Sequence, residues 1–456
     1  MDRSIARSRS VRTTAVVTAG VAALAALSAA GPASGVAAEG ANGAVPAPVP
    51  ASHGHVLKTG LAAPVPTSVC LSKIQIRCYT PLQYRTAYNL DPVYKSGITG
   101  KGRTIVIVDS FGSPTIQNDL QVFDKQFGLP DTTVDVQQWG TVPPFDPTNA
   151  DQNGWAGETT LDVEYAHAIA PGARIVLIET GVSETEGTTG FPEMMSAEDN
   201  AIRHGLGDVI SQSFGATENT FPDYQVNGTR SLMALRYAFK DAAKRGVTVL
   251  GASGDNGATD ATLDGKGTYP YPVNSWPSAD PLVTSVGGTQ LTLDDNGVRT
   301  APDMVWNDGY GAGGGGVSGV FGRPWYQNGV AKVTGNHRGT PDISMTAAVN
   351  GAAWTYSSFD PTSVGWGLVG GTSEATPIFS GIVALADQKA GHRLGMINPK
   401  LYQMAEHDGR NGIVDVTTGD NSFAGVTGYP ATPGYDLASG VGTIDAARFV
   451  AALARD

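Results

Sequence analysis

Ser373 is the residue of this sequence best placed to act as a nucleophile. It lies in the segment GGTSEATP at 370–377, directly before an apolar run at 378–386 that predicts a helix. A serine at the start of a helix faces free backbone N–H groups and the positive end of the helix dipole, which suits an attack that creates an oxyanion. A serine that only caps the helix after a glycine turn is the alternative. The rest of the chain decides between these two interpretations.

Two carboxylates, Glu158 and Asp162, are the next candidates. They lie four residues apart in a stretch at 157–168 that predicts a helix, so they share one face of it. Two carboxylates held close together share a proton, which raises the pKa of one of them and lets it act as a general base in acidic water. A solvated acidic face is the alternative for this pair, and it is what we expect for the nearby Glu164.

Asp255 follows a predicted buried strand, in the segment VLGASGDNG at 249–257. Because ligands of α/β sheets bind at the carboxyl ends of strands, this acid could be a metal ligand, a protonated donor to an oxyanion, or an ordinary turn residue. Histidine is the usual partner of a nucleophilic serine, but none of the seven histidines lies in a protease-like segment. We expect His167 to be structural and Asp109, at the end of another strand, to be a turn acid. A carboxylate pair is therefore the candidate base.

The elements that must position these residues alternate along the chain. The predicted strands lie at 104–109, 174–179, 209–214, 247–251 and 282–286, with helices that include 195–204 and 232–243. Short apolar strands that alternate with helices predict an α/β fold with a mostly parallel central sheet and helices on both faces.

Length, charge and the first residues of the sequence limit the class of protein. The 456 residues suffice for one large domain or two ordinary ones, and the net charge of −12 argues against a nucleic acid partner and a basic membrane-binding patch.

A basic start before an uncharged alanine-rich run predicts a signal peptide at 1–38, with a membrane anchor as the alternative. Residues 39–78 predict a linker or short propeptide remnant, with a Cys70–Cys78 disulfide.

Several segments, in this order, resemble the sedolisin, or serine-carboxyl peptidase, family. The residues that carry the resemblance lie between Tyr79 and Val450, and they include YTPLQYRTAY at 79–88, Glu158 with Leu161 and Asp162, SQSFG at 211–215, SGD at 253–255, PDIS at 341–344 and GTSEATP at 371–377. Each motif alone is a weak signal, whereas all of them in one order are a strong one. The resemblance implies a subtilisin-like α/β fold over 79–456 and a peptidase that acts at acidic pH. The predicted signal peptide leads us to expect a secreted, extracellular protein.

The resemblance also implies a role for each candidate residue. Ser373 would be the nucleophile, Glu158 its general base, Asp162 the residue that orients Glu158, and Asp255 a protonated donor to the oxyanion. We expect an endopeptidase that forms an acyl-enzyme. A tripeptidyl-peptidase of the same family and a non-catalytic binding protein on a peptidase scaffold are the alternatives. The partner would be a protein or peptide substrate, and we expect a monomer with no membrane attachment after removal of the signal.

Members of the sedolisin family bind one structural calcium ion near the C-terminus, and two segments of this chain resemble that site. Asp415 and Asp436 would supply carboxylates, and Val416, Thr432 and Gly434 would supply backbone carbonyls. Thr432 stands where the family commonly has glycine. Hard oxygen ligands of this kind suit Ca²⁺.

Overall fold

Runs of β-branched residues form the centre of the fold, because such side chains fit the pleated surface of a strand. The computed structural model of the protein describes residues 55–57, 61–406 and 409–455, so the predicted signal peptide lies outside the described residues. The strands are β1 His55–Leu57, β2 Cys78–Tyr79, β3 Thr104–Ser110, β4 Val134–Trp139, β5 Arg174–Thr180, β6 Val209–Gln212, β7 Ala216–Thr217, β8 Thr248–Ala252, β9 Ser275–Trp276, β10 Thr284–Gln290, β11 Met304–Val305, β12 Gly316–Gly322, β13 His337–Thr340, β14 Ile343–Thr346, β15 Ala352–Ser357, β16 Gly365–Gly370, β17 Ile413–Val414 and β18 Thr443–Ile444. The α-helices are α1 Thr67–Ile74, α2 Pro81–Ala87, α3 Asp91–Lys95, α4 Ile116–Phe127, α5 Ala150–Ile169, α6 Phe191–His204, α7 Arg230–Leu235, α8 Tyr237–Arg245, α9 Ala331–Thr334, α10 Thr372–Ala390, α11 Asn398–Ala405 and α12 Ala446–Leu453.

Eight strands form the central sheet, in the order β11-β10-β8-β6-β3-β5-β4 with β14 also paired to β10. Every pair is parallel except β10 with β11. Alternate residues of β3 face opposite sides, as the period of a strand requires. Ile105 and Ile107 join the core that contains α5 and α10, whereas Val106 and Val108 join the core that contains α6 and α8. The predicted class, a mostly parallel α/β sheet with helices on both faces, is confirmed.

A second sheet, ordered β1-β16-β15-β2, joins residues 55–57 and 78–79 to the β15–β16 hairpin. The described part of the 39–78 segment includes α1 and β2, and Cys70 and Cys78 form the predicted disulfide with both side chains fully buried. None of the described helices combines the length and the hydropathy that crossing a membrane requires.

One predicted helix is interrupted in the structure. The stretch expected as a single helix at 232–243 forms α7 and α8, with Arg236 between them at a ψ of 1°. The Arg236 guanidinium donates a hydrogen bond to Asp280 Oδ1 at 2.9 Å and lies over the Phe321 ring. These tertiary contacts outweigh the local preference for a continuous helix.

The helices that carry the candidate residues, α5 and α10, cross in direct contact. Gly381 of α10 lies at the crossing, where an added Cβ would come within 2.7 Å of the Ile169 side chain and 3.4 Å of the Ala166 carbonyl. Glycine inside a helix costs about 1 kcal/mol relative to alanine. The close approach of the two helices therefore requires a residue that is locally unfavourable.

We predict that Gly381→Ala lowers the free energy of unfolding by about 1–3 kcal/mol, because the methyl group overpacks the crossing. Gly157→Ala is the matched control, since this α5 glycine has only Phe359 Cζ, at 3.9 Å, near an added Cβ. We expect the control to gain up to about 1 kcal/mol from helix propensity. Denaturant unfolding of both variants measures the difference, and a stabilised Gly381→Ala would contradict the tight crossing.

Candidate active site

Three neighbouring strands of the central sheet, β6 with β3 on one side and β8 on the other, end at the same edge. Asp109 lies near the end of β3, Ser213 directly follows β6, and Asp255 follows β8. Helix α10 begins at this edge with Thr372 and Ser373. The carboxyl ends of parallel strands are where α/β folds place their functional groups.

The first turn of α10 presents Ser373 without using it as the cap. The cap position belongs to Gly371, whose φ of 143° lies in a region that favours glycine. Ser373 is the second residue of the helix, and its side chain is fully buried. The alternative interpretation of Ser373 as the helix cap is therefore wrong, and Ser373 lies in the first turn of α10, at the positive end of the helix dipole.

Asp255 is held against the residue that precedes Ser373. Its Oδ1 accepts hydrogen bonds from the Thr372 backbone N–H at 2.7 Å and from the Thr372 hydroxyl at 2.8 Å. Its Oδ2 is buried and accepts no hydrogen bond from the described residues, although His55 Nε2 lies 3.7 Å away. Burial raises the pKa of Asp255, and His55 and Thr372 partly offset that increase. A proton on this carboxyl would therefore reside on Oδ2.

Glu158 and Asp162 are buried, with exposed fractions of 2% and 0%, so the alternative of a solvated acidic face is wrong. Asp162 Oδ1 accepts a hydrogen bond from Ser213 Oγ at 2.8 Å, and the same Ser213 oxygen lies 3.5 Å from the Ser373 carbonyl. Burial first, and then the charges of Asp109 and Glu158, raise the pKa of Asp162 well above its usual range. The structure thus links the acidic pair of α5 to the first turn of α10.

Asp109 was expected to be a turn acid but lies within the same group of carboxyls. It is fully buried, and its Oδ2 accepts a hydrogen bond from the Thr159 hydroxyl at 2.9 Å. Burial raises the pKa of Asp109 to about 7. Its position one residue before the end of a strand, on the edge shared with Asp255, was the signal that sequence reasoning could have used.

The expectation that Glu164 is solvated is wrong. Its side chain is fully buried and accepts a hydrogen bond from the Tyr356 N–H of β15 at 3.3 Å. Burial raises the pKa of Glu164 well above its usual range. His167 is structural, as predicted, because its buried ring contacts the Pro130 carbonyl at 2.9 Å and Asp124 at 3.3 Å. Helix α5 is therefore enclosed on more than one face.

Comparison with known proteins places this arrangement in a family. Residues 149–421 match the sequence model of the subtilase family, peptidase S8. The chain belongs to the subtilase family. Kumamolisin of Bacillus sp. strain MN-32 is 33% identical over 82% of this chain and 63% of its own length. A solved structure of Pseudomonas sedolisin, a serine-carboxyl proteinase complexed with two molecules of pseudo-iodotyrostatin, superposes with a TM-score of 0.68 at 28% identity, over 82% of this chain and 98% of that chain.

These similarities confirm the predicted sedolisin membership and the subtilisin-like fold of this subtilase. Human tripeptidyl-peptidase 1 is also similar, at 31% identity over 64% of this chain and 50% of its own length. The chain spans between half and two thirds of the length of these curated relatives.

In the region that resembles a calcium site, Asp415 and Asp436 both contact the segment at 432–434. Asp415 Oδ2 accepts a hydrogen bond from the Gly434 N–H at 2.9 Å, and Asp436 Oδ2 accepts one from the Thr432 N–H at 2.9 Å. The described residues contain no cluster of three or more His, Cys, Asp or Glu side chains that could hold a metal. The predicted ligand set has only two such side chains, with the carbonyls of Val416, Thr432 and Gly434, so calcium binding there stays a prediction. These oxygen donors fit Ca²⁺ in kind.

We predict that chelation with EDTA lowers the melting temperature of the protein. Binding to the folded state alone contributes about 2.7 kcal/mol when free calcium exceeds the dissociation constant a hundredfold. Asp415→Ala should lower the melting temperature in calcium and abolish the response to EDTA, whereas the exposed Asp264→Ala serves as the control that keeps it. Differential scanning calorimetry measures both, and an unchanged melting temperature of the unaltered protein in EDTA would contradict the site.

Proposed function

We propose that the protein is a secreted serine-carboxyl peptidase that hydrolyses internal peptide bonds through an acyl-enzyme at acidic pH. One observation carries the proposal: buried carboxyls bracket the first turn of α10. Asp162 accepts a hydrogen bond from the Ser213 hydroxyl, which also lies near the Ser373 carbonyl. Asp255 accepts a hydrogen bond from the Thr372 backbone N–H. Buried acids of raised pKa beside a serine at a helix N-terminus are suited to proton transfer and oxyanion stabilisation in acidic water.

In the proposed reaction Ser373 Oγ attacks the substrate carbonyl carbon while Glu158 takes the hydroxyl proton. The C–O bond forms, and the carbonyl electron pair moves to the oxygen, which receives a hydrogen bond from protonated Oδ2 of Asp255. The C–N bond then breaks as Glu158 returns the proton to the leaving amine. Water, deprotonated by Glu158, then attacks the acyl carbon of the acyl-enzyme. The bond between that carbon and Ser373 Oγ breaks, Glu158 returns the proton to Oγ, and the carboxylic acid product leaves. Asp162 orients Glu158 and shares its proton.

The proposed role of Asp255 requires an acidic pH for activity. Only the protonated carboxyl donates a hydrogen bond, whereas the carboxylate would repel the developing oxyanion. Burial raises the pKa of Asp255, so the donor form persists further above its ordinary titration range. Activity is then present at low pH and is lost as the pH rises through the raised pKa.

A tripeptidyl-peptidase is the second candidate function, and the similarity to human tripeptidyl-peptidase 1 supports it. An enzyme of that kind needs a free amino terminus on its substrate. Cleavage of an N-terminally acetylated, internally quenched peptide therefore supports the endopeptidase, and cleavage of only the free-amine form supports the tripeptidyl-peptidase.

We predict that Ser373→Ala lowers kcat by about 10⁴-fold or more, because nucleophile and base act as a unit. Glu158→Gln should lower it comparably. Both are measured with the quenched peptides at pH 3–7, and circular dichroism checks that each variant is folded. Undiminished hydrolysis by Ser373→Ala would end the assignment, and a folded, unaltered protein with no activity on either peptide form would favour the non-catalytic binding protein.

We predict that Asp255→Asn retains more activity than Asp255→Ala and loses less of it as the pH rises. The amide oxygen can accept both Thr372 hydrogen bonds, and the amide nitrogen can replace protonated Oδ2 as the donor at every pH. Loss of the donor in the alanine variant should cost about 10²–10³-fold in kcat. The pH profiles of kcat for the three proteins measure this. Equal inactivity of both variants, or an unshifted alkaline limit in the asparagine variant, would contradict the donor role.

A further inference from the structure

A cavity of about 690 Å³ lies beside Glu158. Gly157 and Glu158 of α5 form one wall, and Thr355, Phe359 and Trp366 of the β15–β16 hairpin form another. Phe359 and Trp366 are partly exposed aromatic side chains, so the cavity offers apolar surface next to a proposed catalytic residue. A volume of this size exceeds that of any single amino acid side chain and is typical of ligand pockets.

The acids that line the cavity do not make it a site for a cation. Asp360 is one of them, and its Oδ1 already accepts hydrogen bonds from the Thr362 N–H at 2.8 Å and hydroxyl at 2.7 Å. Glu158 is the other, and the proposed function requires it to exchange a proton with Ser373. The aromatic wall is therefore the surface left for recognition of a side chain.

The strand β1 shows how an extended peptide lies along this cavity. It pairs antiparallel with β16, with His55 opposite Gly370, Val56 opposite Val369 and Leu57 opposite Leu368. Val56 and Leu57 line the cavity. The main-chain pairing is the strand-addition mode by which sheets bind peptides, with side-chain pockets that give specificity.

The direction of β1 assigns the cavity to one side of the cleaved bond. Strand β16 runs towards Ser373, so the antiparallel β1 runs away from Ser373 as its residue numbers increase. At its near end, His55 Nε2 lies 3.7 Å from Asp255 Oδ2. A substrate that follows this path places the residues after the cleaved bond along β16.

We propose that the Phe359–Trp366 cavity binds a hydrophobic side chain of the substrate on the leaving-group side of the cleaved bond. This inference rests on the proposed function and deepens it. In the present structure the edge of β16 is held by the chain's own His55–Leu57, so a substrate must displace β1 in order to bind. The proposed occupant is an extended peptide with an aliphatic or aromatic residue shortly after the cleaved bond.

The test uses N-terminally acetylated, internally quenched peptides that differ only at one of the first four positions after the cleaved bond. Each position is set in turn to leucine, lysine or glycine, and kcat/KM is measured for the full chain. We expect leucine to exceed both lysine and glycine at least tenfold at one of these positions. Phe359→Ala, which removes part of the cavity wall, should reduce that ratio to about threefold or less, because the leucine side chain loses part of its apolar contact surface.

A second variant tests the cavity independently, in case Phe359→Ala does not fold. Gly157→Leu replaces a helical glycine with a good helix former and fills the cavity from the α5 wall, so it should also reduce the ratio of leucine to glycine. Trp325→Ala is the matched control, because Trp325 is 68% exposed and does not line the cavity. It should leave the ratio unchanged.

A peptidyl p-nitroanilide, which has no amino acid after the cleaved bond, separates the two proposals. If the unaltered protein hydrolyses it and no position of the quenched peptides favours leucine, the cavity inference is overturned and the proposed function stands. A preference for lysine, or a leucine preference that survives both cavity variants, also overturns the inference. If neither the nitroanilide nor any peptide is cleaved, both proposals fall.

Discussion

Burial of carboxyl groups without a basic partner is the constraint on which the candidate site depends. Asp109, Asp162, Asp255 and Glu374 are fully buried around the first turn of α10. Within the described part of the chain, none of them pairs with a lysine or arginine, and the one basic group near them is His55, beside Asp255. Burial is the largest cause of the raised pKa at each of these acids. They hold protons where exposed acids would have lost them.

This constraint requires a rigid frame, since acids that could turn towards water would recover their ordinary pKa. The parallel sheet supplies one part of the frame by ending β3, β6 and β8 at a common edge. The crossing of α5 and α10 at Gly381 supplies the other. Neither the sheet nor the helix crossing changes its charge with pH. Packing therefore fixes the positions of the acids, and only their protonation responds to pH.

The positions of the candidate residues on their elements could be predicted from the sequence better than the surroundings of those residues. Periodicity and motif order indicated a helix start for Ser373, one helix face for Glu158 and Asp162 and the end of a strand for Asp255, because these positions are local properties. Burial of Glu164 is a tertiary property, since it depends on how β15 lies against α5. One local signal was present: residues 157–169 contain no lysine or arginine, whereas solvated helix faces usually carry both signs of charge. The break at Arg236 had no such signal, because Asp280 is distant in sequence.

The pairing of β1 with β16 could not be predicted either, because a three-residue strand has too little pattern to fix its register. Its consequence is functional. The edge of β16 has one row of free backbone groups, so it pairs with β1 or with a substrate and never with both. Under the proposed function, access to Ser373 and choice of substrate are therefore decided at the same edge. A peptide that binds there must supply more than the main-chain hydrogen bonds that β1 already makes, and a side chain that fills the Phe359–Trp366 cavity is how it would do so.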